Sequence, residues 1–297
     1  MALRYDADPE CVGFDESVIE SKSAARTVWP IVVVYMVATF LVSGVLLVLQ
    51  GALSIDDEII SIVQFAPSLG LLAVVPFARG RVDAGLSTLR GVGPRLLAVL
   101  TSNVLIFGGC VAVFAVLGDD LVVTRPVDLE RPFVVILVFQ FIGACGEELG
   151  WRCFLQPLLQ TRFSLVVSAV IVGLLWGVWH VQYFAFGPVV VAGFLLATVS
   201  MSIIMAVMID RAPGGKLLIA GTFHWLINIG LLLLMDEESG AAEPMVAFGC
   251  CCAVAAVGVL VGAKFLQRES NRSHPITPSL AFAPPPNAHH DRRGDQS

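Results

Sequence analysis

The sequence predicts an all-α, polytopic membrane protein, a bundle of about eight transmembrane helices. Three observations carry this. Of 297 residues, 57% are hydrophobic and only 14% charged, whereas soluble domains run near ~45–50% and ~25%. The apolar residues gather into eight runs close to the ~20 residues that a bilayer core of ~30 Å requires. The basic residues between the runs are distributed very unevenly. Lipid offers no partner to backbone N–H and C=O groups, so apolar runs of this length must be helices.

The runs are 29–50, 59–78, 96–117, 132–150, 164–184, 188–209, 217–235 and 245–263. Residues 1–26 read as a polar cytoplasmic segment and 27–266 as the transmembrane domain. Residues 267–297 hold five of the sixteen prolines and no apolar periodicity, the composition of a disordered tail. Threading eight spans leaves 16 of the 18 Lys and Arg residues on one side, with Arg125 and Arg131 on the other. The positive-inside bias then places both termini in the cytoplasm and the chain in the cell membrane. The opposite loops are acidic (Asp56, Asp57 and Glu58; Asp119 and Asp120; Asp236, Glu237, Glu238 and Glu243). A net charge of −6 without a clustered basic face excludes a nucleic-acid partner. Seven cysteines, an odd number set mostly in or beside apolar runs, exclude a disulfide-stapled secreted domain.

Ionisable groups within hydrocarbon are expensive, so each one inside a span asks for a reason. Few are found. Glu147, Glu148 and Arg152 stand at the end of the fourth run, His180 in the fifth, and His224 with Asn228 in the seventh. Glu148 and Arg152 are four apart and share a helix face, the spacing of an ion pair. Glu147 is turned ~100° away from them and is left to handle protons. If the fourth and fifth helices form a hairpin with its apex near 162–164, the fourth runs on to about 160. Glu147 and His180 then lie at nearly equal depth. Gln64, Asn103, Gln140, Ser200 and Ser202 read as inter-helical glue. The pairs Gly108–Gly109 and Gly143–Ala144 read as points of close helix approach. Trp176, Trp179, Tyr183, Phe184 and Phe186 read as packing or interfacial belt, or as the lining of an entry for a lipid-modified substrate.

One free carboxylate, two imidazoles and a carboxamide in a water-poor cavity suit hydrolysis. Glutamate takes a proton from water as general base. Histidine orients that water or binds a metal. Donors on His224 and Asn228 stabilise an oxyanion. Zinc is left open, with Glu147, His180 and His224 as its ligands if it binds. The absence of an H-E-x-x-H helix excludes the soluble zincin arrangement.

Three motifs then carry a resemblance: Glu147-Glu148-Leu149-Gly150-Trp151-Arg152, Trp176-Gly177-Val178-Trp179-His180 and His224-Trp225-Leu226-Ile227-Asn228. Together they resemble the CPBP family of intramembrane proteases, which includes the type II CAAX prenyl endopeptidases and is also called the Abi family. The resemblance covers about 132–230. It departs from the family pattern at Trp176, where phenylalanine is usual. It implies an eight-helix all-α protease, with water activated by Glu147 and His180, an oxyanion site at His224 and Asn228, and support from Glu148 and Arg152. Members are often labelled metalloproteases, although a metal-independent mechanism has also been proposed. The implied substrate is a membrane-associated protein or peptide, with or without a prenyl group. The alternative is a non-catalytic immunity or scaffold protein of the same fold.

Overall fold

The computed structural model describes residues 28–57, 59–78, 82–118, 123–235 and 240–273. The predicted N-terminal segment 1–26 and the tail from 274 onward lie outside these, as do Glu58, Asp119, Asp120 and the acidic residues 236–239. The described residues contain helices and no strands. Helix α1 is Val28–Ala52, followed by the short helices α2 (Ala66–Gly70) and α3 (Val75–Ala78). Then come α4 (Val92–Leu117), α5 (Phe133–Gly150), α6 (Gln156–Gln160), α7 (Leu165–Trp179), α8 (Pro188–Ile209), α9 (Lys216–Leu234) and α10 (Ala242–Ser273).

Each predicted run has a helical counterpart. Six of these are long and apolar enough to cross a bilayer, and two apolar segments, Ile62–Ala73 and Leu165–Trp179, are shorter. The chain is a multi-pass, all-α membrane protein. The run 59–78 is not one helix. Pro67 and Pro76 each lack a backbone donor, and the segment breaks into a 3₁₀ turn (Ile62–Phe65), α2, a second 3₁₀ turn (Leu71–Ala73) and α3. The pieces lie on α5, where Gly143, Gly146 and Gly150 leave them room. A Cβ on Gly150 would stand 2.6 Å from the Pro67 backbone. Such small-residue faces let membrane helices approach closely.

The fourth helix does continue to Gln160, as a 28-residue stretch Phe133–Gln160. It does so through a π-helical turn, Trp151–Leu155, directly after the two glutamates. The chain then turns at 161–164 and Ser164 caps α7, its hydroxyl accepting from the Val167 N–H. Helix α7 stops earlier than the run 164–184 predicts. The His180 N–H bonds back to Gly177 rather than to Trp176, while the His180 ring takes the Trp176 carbonyl at 2.9 Å. The side chain thus replaces the helical bond, and Val181–Phe186 follows as a 3₁₀ turn.

Helix α7 packs along α8, α9 along α5 and α4, and α2 against α1 and α5. Loops assigned to the same side meet. Arg131 pairs with Asp56 at 2.6 Å, and Thr124 N–H donates to the Leu233 carbonyl at 2.9 Å. At the other end Asp83 pairs with Lys216, which holds the Asp83 carboxyl below its usual range. The first compact unit ends at Leu260. The second begins at Val261, and its described part is helical to Ser273. Helix thus reaches seven residues beyond 266, because Gln267, Arg268 and Glu269 are straight-chain residues that favour it.

Candidate active site

The last turn of α5 presents two adjacent carboxylates to different neighbours. Glu148 is fully buried. One of its oxygens lies 3.2 Å from Arg152 Nε, and the other accepts from His224 Nδ1 at 2.8 Å. The predicted Glu148–Arg152 pair therefore exists, with a third member that spacing could not reveal. Glu147 is 2% exposed. Its Oε2 accepts a hydrogen bond from the Trp176 indole N–H at 2.9 Å. Its Oε1 stands 3.9 Å from His224 Nε2, beyond hydrogen-bond distance.

Both imidazoles are oriented through Nδ1. In His180 the Nδ1–H donates to the Trp176 carbonyl, so Nε2 carries the lone pair. In His224 the Nδ1–H donates to Glu148, and Nε2 turns toward Glu147. His224 is buried, while His180, at the end of α7, is only partly so. The ring of Trp176 meets both, with centroids 5.9 Å from His180 and 5.1 Å from His224, and Arg152 Cζ lies 4.7 Å from its centroid. Three of the four predicted reacting groups, Glu147, His180 and His224, thus gather around one indole.

Asn228 is placed differently. Its Nδ2 donates to Gln140 Oε1 at 3.3 Å. Gln140 precedes Glu147 by seven residues, about 10 Å along α5 at ~1.5 Å per residue. The amide retains its second N–H.

The sequence predicts packing, belt or entry lining for Trp176 and inter-helical glue for Gln140. The Trp-x-x-x-His spacing marks Trp176 as a neighbour of His180. Nothing local reveals that its N–H reaches a carboxylate 29 residues away. Of the rest of the aromatic stretch, Trp179 and Tyr183 pack, Trp179 Nε1 donating to Ser43 Oγ at 2.8 Å and Tyr183 stacking on Phe194 at 3.8 Å, while Phe184 and Phe186 are exposed.

Glu147, His180 and His224 are chemically a zinc donor set, with both Nδ1 atoms already held as in metal sites. Their spacing is not that of a bound metal. Two ligands of tetrahedral zinc lie about 3.3 Å apart, against 3.9 Å between His224 Nε2 and Glu147 Oε1. Among the described residues no three His, Cys, Asp or Glu side chains come together closely enough to hold an ion. The donors as arranged do not fit zinc, and no step below passes through a metal.

Residues 129–230 match the model of the type II CAAX prenyl endopeptidase Rce1-like family. This is the family that the three motifs resemble, and the match supports an intramembrane CAAX-type protease fold for that segment. Lysostaphin resistance protein A of Staphylococcus aureus, in the bovine strain RF122 and in strains Newman and USA300, is 26% identical over 232 residues. The alignment covers 76% of this chain and 55% of the relative. The chain therefore spans about half the length of the curated relatives it matches.

Proposed function

We propose that the chain is an intramembrane endopeptidase that hydrolyses a peptide bond of a membrane-associated or lipid-modified protein or peptide. The observation that carries this reading is the unequal treatment of two adjacent, buried carboxylates. Glu148 is fully committed to Arg152 and His224. Glu147 is held at one oxygen only, and the other faces His224 Nε2 across 3.9 Å.

A water in that position gives a proton to Glu147 Oε1. The lone pair on His180 Nε2 accepts its other hydrogen and orients it. The water oxygen attacks the scissile carbonyl, and the tetrahedral oxyanion is met by His224 and by the second N–H of Asn228. To donate from Nε2 while Nδ1 donates to Glu148, His224 must carry both protons, with Glu148 and Glu147 as counter-charges. Glu147 then returns its proton to the departing amine and the C–N bond breaks. Glu148 and Arg152 support the site. The domains follow the same reading: a cytoplasmic N-terminal segment, a transmembrane body with its protease core at 132–230, a cytoplasmic tail, and residence in the cell membrane.

One observation favours the second reading, a non-catalytic immunity or scaffold protein: the relatives are named for resistance rather than hydrolysis. The test is cleavage by purified protein in proteoliposomes. The panel is a set of quenched fluorogenic peptides, with and without a C-terminal farnesylcysteine. Glu147→Gln keeps the volume and removes the base, so cleavage should fall by ~10²–10⁴ while folding survives. A wild type that cleaves no peptide supports the scaffold reading, and a Glu147→Gln variant that cleaves at the wild-type rate removes Glu147 as the base.

A further inference from the structure

We infer that Trp176 is a positioning residue for the general base, acting through its indole N–H and not only by filling space. This rests on the proposed role of Glu147. An aspartate or glutamate carboxylate swivels about its terminal bond over a broad range. At this site the swivel is fixed by one bond. Trp176 Nε1 donates to Oε2 at 2.9 Å, which leaves the other oxygen, Oε1, turned toward His224.

The indole is itself held on several sides. It is 2% exposed, with the Arg152 guanidinium over its face and His224 meeting it in a T-shaped contact. Its helix lies close against α8, with no room for a side chain at two of its glycines. A Cβ on Gly173 would stand 2.6 Å from Val199 Cα, and one on Gly177 would stand 2.6 Å from Thr198 Oγ1. The same residue's carbonyl takes the His180 Nδ1–H and so sets which nitrogen of that ring carries the lone pair. Trp176 thereby orients the base with its side chain and the water-orienting histidine with its backbone. Only the first of these is lost on substitution. A phenylalanine here would pack against the same imidazoles and the same guanidinium, yet it would leave Glu147 free to turn. A buried carboxylate that samples intermediate rotations spends less time with an oxygen aimed at the water. The loss falls on the chemical step rather than on substrate binding.

Two arms test this. In the first, the indole N–H signal assigned to Trp176 by comparison with Trp176→Phe is followed by ¹⁵N–¹H NMR in lipid nanodiscs. It should lie at a hydrogen-bonded position in the wild type and move to the free-indole position in Glu147→Ala. In the second, kcat and KM are measured with the fluorogenic peptide of the panel that the wild type cleaves fastest. Trp176→Phe should lower kcat about 10- to 100-fold, with KM changed by less than ~3-fold. Replacement of Trp176 by 3-benzothienylalanine exchanges the N–H for sulfur in a ring of the same shape. It should reproduce the loss even if Trp176→Phe folds poorly. Replacement by 5-fluorotryptophan, which keeps the donor, should restore kcat to near the wild-type value.

A benzothienyl variant with wild-type kcat, or an indole signal unmoved by Glu147→Ala, overturns the inference. If Glu147→Gln abolishes cleavage in that same experiment, the base assignment stands and only the role of Trp176 falls. If Glu147→Gln cleaves normally, the base assignment itself fails. If no peptide is cleaved, the NMR arm decides the contact on its own.

Discussion

Glu148→Gln removes one charge from a buried triad and leaves its partner stranded. Arg152 is 1% exposed, its Nε lies 3.2 Å from Glu148, and among the described residues none of its nitrogens has a hydrogen-bond partner. Its guanidinium also lies over the face of Trp176, 4.7 Å from the ring centroid. A cation–π contact of this kind contributes about 0.5–2 kcal/mol, too little to hold a buried guanidinium. Breaking a buried pair from one side costs about 3–5 kcal/mol. At roughly 2–4 °C per kcal/mol, the melting temperature should fall by ~6–20 °C. The glutamine keeps a carbonyl oxygen to accept from His224 Nδ1, so the loss reports the charge and not the hydrogen bond. Thermal scans in detergent, read from intrinsic tryptophan fluorescence, measure it. Glu148→Gln combined with Arg152→Met removes both charges and fills the same space, so most of the loss should be recovered. A single variant that melts within ~2 °C of the wild type, or a double variant no better than the single, refutes the view that this pair holds the site together.

Two further expectations follow from the site and the loops. Because Glu147, His180 and His224 are not spaced as zinc ligands, cleavage should survive exhaustive chelation and dialysis with metal content measured in parallel. Activity that disappears with the metal and returns with substoichiometric zinc decides against a metal-free water. The 16 basic residues assigned to one side imply that a reporter after Lys264 faces the cytoplasm and one inserted at 236–243 faces outward. Both reporters on the same side would remove the eight-run threading.

Much of this protein is written locally in its sequence. The helical class follows because lipid leaves backbone groups no other partners. The site residues stand out because ionisable groups in apolar runs are costly and therefore few. The Glu148–Arg152 pair follows from the four-residue spacing that puts two side chains on one helix face. The continuation of the fourth helix to Gln160 follows from a hairpin apex near 162–164, which also brings Glu147 and His180 to nearly equal depth.

What only the tertiary structure decided concerns how the helices are turned about their axes. Helices α7 and α8 are apolar on nearly every face, so their periodicity does not state which face meets which neighbour. The bonds that assemble the site span 29 residues from Trp176 to Glu147, 76 from His224 to Glu148 and 88 from Asn228 to Gln140. Each depends on that rotation and on close approaches such as Gly150 on Pro67. The division between the two glutamates is a packing fact of the same kind. Neighbours in sequence, they differ because helix geometry sends one toward Trp176 and the other toward Arg152 and His224.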